Sequence, residues 1–338
     1  MREKVNDLIK QGQPFVLFRL PSDDLIHCYY QKDLTANYTS TFCESGFVFA
    51  PFAQANRPLF IPDVHRLSFA SPPPQKNANI TTNLPQDQRK NFIEQVSRAV
   101  ETIKGEAFEK VVLSNAFTLQ YTGETLEVFY RMVHQYSNAF VYYWFHPQTG
   151  TWLGATPERF LSLENEQLST MALAGTLPTA AATWSKKEIH EQQLVVASIQ
   201  QGLSRYVPDH KIKIGERETI RAGELRHLCT HIQAEVSGVS LALLVEELHP
   251  TPAVGGLPKD IALGYILSYE DYDRAYYTGY LGPFSNGKQA NLFVNLRCAT
   301  VFDDTIRLFT GAGITAGSVP EREWEEICRK ANTFLSVL

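Results

Sequence analysis

The residues best equipped for chemistry stand near the C-terminus, where Glu323, Glu326 and Lys330 recur at i, i+3 and i+7 on one face of an expected helix. They follow the small-residue run Gly311-Ala-Gly-Ile-Thr-Ala-Gly-Ser318, read as a glycine loop. Two carboxylates and an ammonium beside such a loop could hold a hard cation, and Mg²⁺ commonly takes one or two protein carboxylates together with an anionic substrate. The same spacing also fits a solvated helix face carrying an i,i+4 ion pair. A second acidic face occurs at Glu188 and Glu191, one turn apart on another expected helix. Between Met171 and Pro178 the segment Ala172-Leu-Ala-Gly-Thr176 reads as a turn whose backbone N–H groups could approach a ligand closely.

Composition limits what these residues can serve. The chain has 338 residues, 44% of them hydrophobic, and a net charge of -5. That provides no basic field for nucleic acid or an acidic membrane surface, so an anionic ligand must be held by a few local cations. Cys28, Cys43, Cys229, Cys298 and Cys328 are odd in number and scattered, without CxxC or Cys/His ligand spacing, which argues against a disulfide framework or a zinc site. Reduced thiols, the absence of a signal-like N-terminus and the lack of any membrane-length apolar run set the expectation of a cytoplasmic protein.

The positioning elements follow from pattern. Residues 1–70 read as a small β-rich lobe, with strands at 14–20, 25–31, 46–52 and 59–64, and the proline-rich stretch 71–85 reads as a linker. From 86 onward helices and strands are mixed. Helices are expected near 92–103, 126–136, 186–203, 241–248 and 260–269, and strands at 110–115, 140–145, 161–163, 226–232, 279–282, 290–301 and 306–309. Lys110 opens one strand and Arg297 lies within another. Pro320 suits the first turn of the last helix, with Ser318 as its cap. Antiparallel-looking strands without a βαβ period favour an α+β fold. Gly311-Ala-Gly is only a fragment of a dinucleotide fingerprint.

Several segments together carry a resemblance. Lys110-Val-Val-Leu-Ser, Ala155-Thr-Pro-Glu158, Leu173-Ala-Gly-Thr176, Lys187-Glu-Ile-His-Glu191, His249-Pro-Thr-Pro-Ala253, Arg274-Ala-Tyr-Tyr277-Thr-Gly279, Leu296-Arg297-Cys and Gly311-Ala-Gly-Ile, with Glu326 and Lys330, stand in the order found in the chorismate-utilising enzymes. Over residues 86–338 the chain resembles that family, and within it most closely the isochorismate synthases. The resemblance implies an anthranilate synthase component I-type fold, a largely antiparallel β-sandwich core covered by helices. It implies chorismate as substrate and Mg²⁺ held by Glu191 and Glu326, with Glu188 and Glu323 behind them or reaching the ion through water.

By the same resemblance Lys330 and the backbone of Gly311 and Gly313 meet the ring carboxylate, while Arg297 and Tyr277 hold the enolpyruvyl carboxylate. His227, Gly175, Thr176 and Ala253 line the pocket, Lys110 is the base and Glu158 the acid. An acid of this kind must have its pKa raised if it is to remain a donor at neutral pH. Anthranilate synthases usually carry glutamine where Lys110 stands and depend on a glutaminase partner, so no glutaminase subunit is expected. Aminodeoxychorismate synthases typically place a lysine inside the Leu173–Thr176 motif. Salicylate synthases share the base, the acid and both metal glutamates. A binding protein without turnover would have no reason to keep Lys110 together with Glu158. A monomer or homodimer is expected, and the destination of the product, menaquinone, siderophore or salicylate, is left open.

Overall fold

The chain's apolar runs assemble into two nine-stranded sheets in which every pairing is antiparallel. The computed structural model describes residues 2–53, 57–75, 84–179, 183–223 and 225–338. With strands numbered along the chain, the first sheet runs β14 (Gly256–Leu257), β7 (Lys110–Gln120), β18 (Thr305–Ile314), β17 (Cys298–Phe302), β9 (Gly150–Thr156), β8 (Phe140–His146), β1 (Phe15–Arg19), β2 (Leu25–Tyr30), β6 (Arg66–Ala70). The second runs β12 (Ile212–Ala222), β13 (Leu225–Glu235), β11 (Gln167–Pro178), β10 (Arg159–Glu164), β16 (Gln289–Val294), β15 (Tyr280–Ser285), β4 (Ser45–Ala50), β5 (Leu59–Pro62), β3 (Asn37–Tyr38).

Residues 1–70 do form strands, and those strands extend both sheets: β1 pairs with β8 and β4 with β15. The stretch read as a lobe is therefore continuous in hydrogen bonding with the rest of the molecule. Of the expected linker, residues 76–83 lie outside the described residues. An aromatic cluster that includes Phe18, Phe47, Phe49, Phe140 and Trp144 joins strands of the two sheets, with Phe140 stacked on Phe293 at 4.2 Å.

The helices are α1 (Arg2–Lys10), α2 (Arg89–Lys104), α3 (Thr125–Gln135), α4 (Lys186–Ser204), α5 (Leu241–Leu248), α6 (Lys259–Tyr269) and α7 (Pro320–Leu335). None among the described residues is long and apolar enough to cross a membrane. α7 buries Trp324, Ile327, Ala331 and Phe334 at helical spacing, and Trp324 packs edge-on against Phe117 of β7 and tilted against Phe92 of α2. The larger of these side chains each contribute roughly 1.5–3 kcal/mol on burial. This anchoring fixes the adjoining, charged stripe of the helix, Glu323, Glu326 and Lys330. α4 buries Val195, Ile199 and Leu203 in a cluster with Ala172 and Ala174 of β11 and Ile232 of β13.

Four local expectations change. Gly311–Gly313 belongs to β18, paired residue for residue with Ser114–Val112 of β7, rather than to a loop. Ala172–Thr176 lies in β11, interrupted by a bulge where Gly175 adopts φ +74°. The expected strand 290–301 is two strands in different sheets, broken at Asn295–Arg297, where Arg297 takes the left-handed φ of 48°. Ser318 closes a turn by accepting from the Thr315 N–H at 3.2 Å, so Val319 takes the helix N-cap position and Pro320 begins the helix.

Candidate active site

Two crossings between the sheets bring an acid and a cation together. The chain leaves the first sheet at Thr156 and enters the second at Arg159, with Glu158 between them; it returns through Asn295–Arg297 to β17. Because β9 neighbours β17 and β10 neighbours β16, the crossings lie side by side. The Ala155 N–H donates to the Arg297 carbonyl (3.2 Å) and the Val294 N–H to the Glu158 carbonyl (3.0 Å).

Glu158 is 3% exposed. Burial pushes its carboxyl up to about 8, although Lys110, Lys330 and Arg297 all pull the other way. Desolvation wins, so the group holds its proton at neutral pH.

Arg297 is locked from two sides. Its Nη1 donates to the Ala222 carbonyl at the end of β12 (3.2 Å) and its Nη2 to His227 Nε2 (2.8 Å). A guanidinium can only donate, so Nε2 accepts and His227 carries its proton on Nδ1, from which it donates to the Gly175 carbonyl at 3.1 Å. Burial, with Arg297 and Lys330 nearby, holds the imidazole well below its ordinary range and therefore neutral. Burial also lowers Arg297 to about 10, which leaves it charged. Among the described residues no carboxylate lies within ion-pair distance of this half-buried cation. Tyr277, 2% exposed, stacks on Phe309 at 5.4 Å, and burial raises its phenol.

Three carboxylates from two helices meet three lysines. Lys110 Nζ lies 3.1 Å from Glu191 Oε1, close enough for an ion pair but off-axis for a hydrogen bond. Lys330 Nζ lies 2.8 Å from Glu326 and donates to the Gly311 carbonyl at 2.8 Å. Lys187, one turn ahead of Glu191 on α4, donates to Glu323 at 2.5 Å. Burial works against ionisation of Glu326, but Lys330 and Lys187 outweigh it and hold the carboxyl below its usual value. Burial and the neighbouring Glu326 raise Glu323 in spite of Lys187. Glu188 points elsewhere: it accepts from the Ser185 backbone N–H at 2.9 Å as part of the capping box that starts α4.

These groups surround a cavity of about 700 Å³, counting the space open to solvent. Glu158, Gly175, Thr176, Glu191, His227, Ala253, Tyr277, Arg297, Gly311, Gly313, Glu326 and Lys330 line it. Lys110 is fully buried and joins through Glu191, while Glu188 and Glu323 stand off the wall. Gly313 leaves room for this carboxylate, since a Cβ would stand 2.1 Å from Glu191 Oε1 and turn the side chain aside. Gly256 plays the same part behind Lys110, whose carbonyl a Cβ would meet at 2.3 Å. The acidic side chains facing the cavity, Glu191 from α4 and Glu326 from α7, offer carboxylate oxygen, the donor type that fits a hard cation such as Mg²⁺.

Lys187 opens one of the quoted motifs but has no role in the sequence reading, although its i,i+4 relation to Glu191 is visible there. The apolar wall formed by Leu173, Val254, Leu296 and Phe309 is not among the expected site residues either, although Leu173 and Leu296 stand within quoted motifs, and nothing in their types distinguishes them from core.

The profile of one family, described as chorismate binding enzyme, matches residues 60–338. Isochorismate synthase MenF of Haemophilus influenzae is 31% identical over 276 residues, which cover 78% of this chain and 63% of that protein. The chain thus spans less than two thirds of that relative's length. The solved structure of MenF, the menaquinone-specific isochorismate synthase of Escherichia coli, superposes with a TM-score of 0.82 at 22% identity, covering 96% of this chain and 88% of that one. Anthranilate synthase component I of Streptococcus pneumoniae gives a TM-score of 0.73 at 16% identity, over 95% of this chain and 89% of that one. The fold is the one these structures share.

Proposed function

Because the chain belongs to the chorismate-binding enzyme family, we propose that it is an isochorismate synthase, converting chorismate to isochorismate reversibly. One observation carries the reading: a single cavity holds a half-buried guanidinium with no carboxylate partner among the described residues and a buried carboxyl that keeps its proton. A charge drawn largely out of water is normally paired, so Arg297 calls for an anion from outside, and its forked donors suit a carboxylate. His227 and the Ala222 carbonyl set the direction of that fork.

In the proposed reaction water adds at C2, the ring double bonds shift, and the C4 hydroxyl departs as water. Lys110, in its neutral form and released from its ion pair with Glu191, takes the proton from the attacking water, and Glu158 gives its proton to the leaving oxygen. Afterwards Lys110 holds a proton and Glu158 lacks one, which is the starting state for the reverse reaction. Lys330, fixed by Glu326 and the Gly311 carbonyl, faces the ring carboxylate. A Mg²⁺ ion held by Glu191 and Glu326 would supply a positive centre that neutralises and orients this carboxylate. A cytoplasmic location and the supply of isochorismate to menaquinone or siderophore synthesis belong to the same proposal.

The test is the product spectrum of the purified protein with chorismate and Mg²⁺, resolved by chromatography. Isochorismate is expected, with turnover lost in Lys110→Ala while circular dichroism and melting stay as in the parent. Enzymatic release of salicylate and pyruvate would reassign the reaction, and no turnover with water or ammonia would overturn an enzymatic role.

A further inference from the structure

A second constellation lies on β12 and β13. Glu218 stands opposite Cys229 in the antiparallel register, and His231, two residues further along β13, projects to the same side of the sheet as Cys229. Glu218 Oε1 is 3.1 Å from His231 Nε2, and Cys229 Sγ is 3.9 Å from that same nitrogen. All three potential ligand atoms lie within 4.8 Å of one another.

A tetrahedral zinc ion has bonds of about 2.3 Å to sulfur and about 2.0–2.1 Å to nitrogen and oxygen, so its ligand atoms stand roughly 3.3–3.6 Å apart. The two distances bracket that range, and shifts of a few tenths of an ångström would close the shell. The set mixes thiolate, imidazole and carboxylate, which a borderline-soft ion prefers and Mg²⁺ does not. Access is also suitable. Cys229 is buried, but the Glu218 and His231 side chains are each 52% exposed at the open edge of the sheet. Burial, assisted by Glu218, pushes the thiol up to about 12, so an arriving cation must displace its proton.

We propose that Glu218, Cys229 and His231 bind a divalent cation of the Zn²⁺ class, with the fourth position open to solvent. This goes against the expectation from cysteine spacing, which argues against a zinc site, because the ligands come together across two strands. The ion would clamp the β12–β13 hairpin, whose Ala222 carbonyl and His227 both contact Arg297.

The probe is Co²⁺, added to chelator-stripped protein in excess Mg²⁺. A thiolate-to-cobalt charge-transfer band should saturate at one ion per chain and disappear when Zn²⁺ is added. Cys229→Ser should abolish the band, Cys43→Ser should keep it, and His231→Ala should weaken binding about tenfold or more. Zn²⁺ should raise the melting temperature of the parent protein and leave that of Cys229→Ser unmoved. No band in the parent, or a band that survives in Cys229→Ser, would overturn the site. Should Cys229→Ser fail to fold, the exposed pair Glu218→Gln and His231→Ala decides, and undiminished affinity in both overturns the proposal.

Discussion

Glu158→Gln separates the protonated buried acid from every other titration in the molecule. Glutamine keeps the size of the neutral carboxyl and cannot ionise. In the parent, the ordinary value of 4.5 is pushed up to about 8 by burial. Below about 4.5 the group is protonated in both folded and unfolded chains and contributes nothing to the pH dependence. Between about 4.5 and about 8 the unfolded chain ionises while the folded one stays protonated, so the folded state binds more protons and stability falls as pH rises. Each pH unit in that window costs about 1.36 kcal/mol, and the whole window roughly 4–5 kcal/mol. Above about 8 both states are ionised and the loss levels off. The variant lacks this slope, so the parent-minus-variant difference in urea denaturation should move by that amount in favour of Glu158→Gln as pH is raised. The infrared band of a protonated carboxyl should be present in the parent at neutral pH and missing from the variant. A difference that stays flat across the window, or one that moves in favour of the parent, refutes the assignment of a neutral Glu158.

Two further substitutions probe the helix-borne charges. Gly313→Ala puts a Cβ 2.1 Å from Glu191 Oε1 and 3.2 Å from Lys110 Cε; stability should fall by about 1–3 kcal/mol and turnover of chorismate by about 100-fold, measured by melting and by product formation. Unchanged turnover would show that the Glu191 carboxylate has no fixed place in the reaction. Lys187→Ala leaves Glu323, 2% exposed, beside Glu326 without its partner, which should cost about 3 kcal/mol in urea denaturation, and adding Glu323→Gln should recover most of it. Failure of the second change to restore stability would mean that Lys187 acts through packing alone.

The fold was legible where periodicity was strong. β1, β2 and β8, α2 to α7, and the mixed antiparallel class all follow from runs and spacings that match the structure within a few residues. β12 left no signal because, as an edge strand, it exposes nearly every residue and has no buried face to impose alternation. The glycine segment 311–313 misled for the opposite reason. Its composition reads as a loop, but those glycines are in a strand because side chains of the site occupy the space a Cβ would take. The same holds for Gly175, which marks a bulge that lets its carbonyl meet His227.

What sequence could not supply is the arrangement that makes the site work. Glu158 and Arg297 are 139 residues apart by number, and neither shows by type or spacing that it sits where the chain changes sheets. A local pattern reports which face of an element is buried; it carries no information about two adjacent crossings, since these depend on strand order across both sheets. That order also explains why the chemistry gathers here. A strand running on within one sheet would commit its backbone to the ladder and its side chains to alternate faces. The two crossings instead release Pro157–Glu158 and Leu296–Arg297 from the ladder at one point and aim a buried acid and a half-buried guanidinium into a common cavity. The lysines follow the same logic from outside: Lys110 is pinned by the edge strand β14, and Lys330 by a helix whose adjoining apolar face is held by Trp324 and Phe334. Loosening that apolar face would therefore disturb the charge balance at Glu326 before it disturbed either sheet.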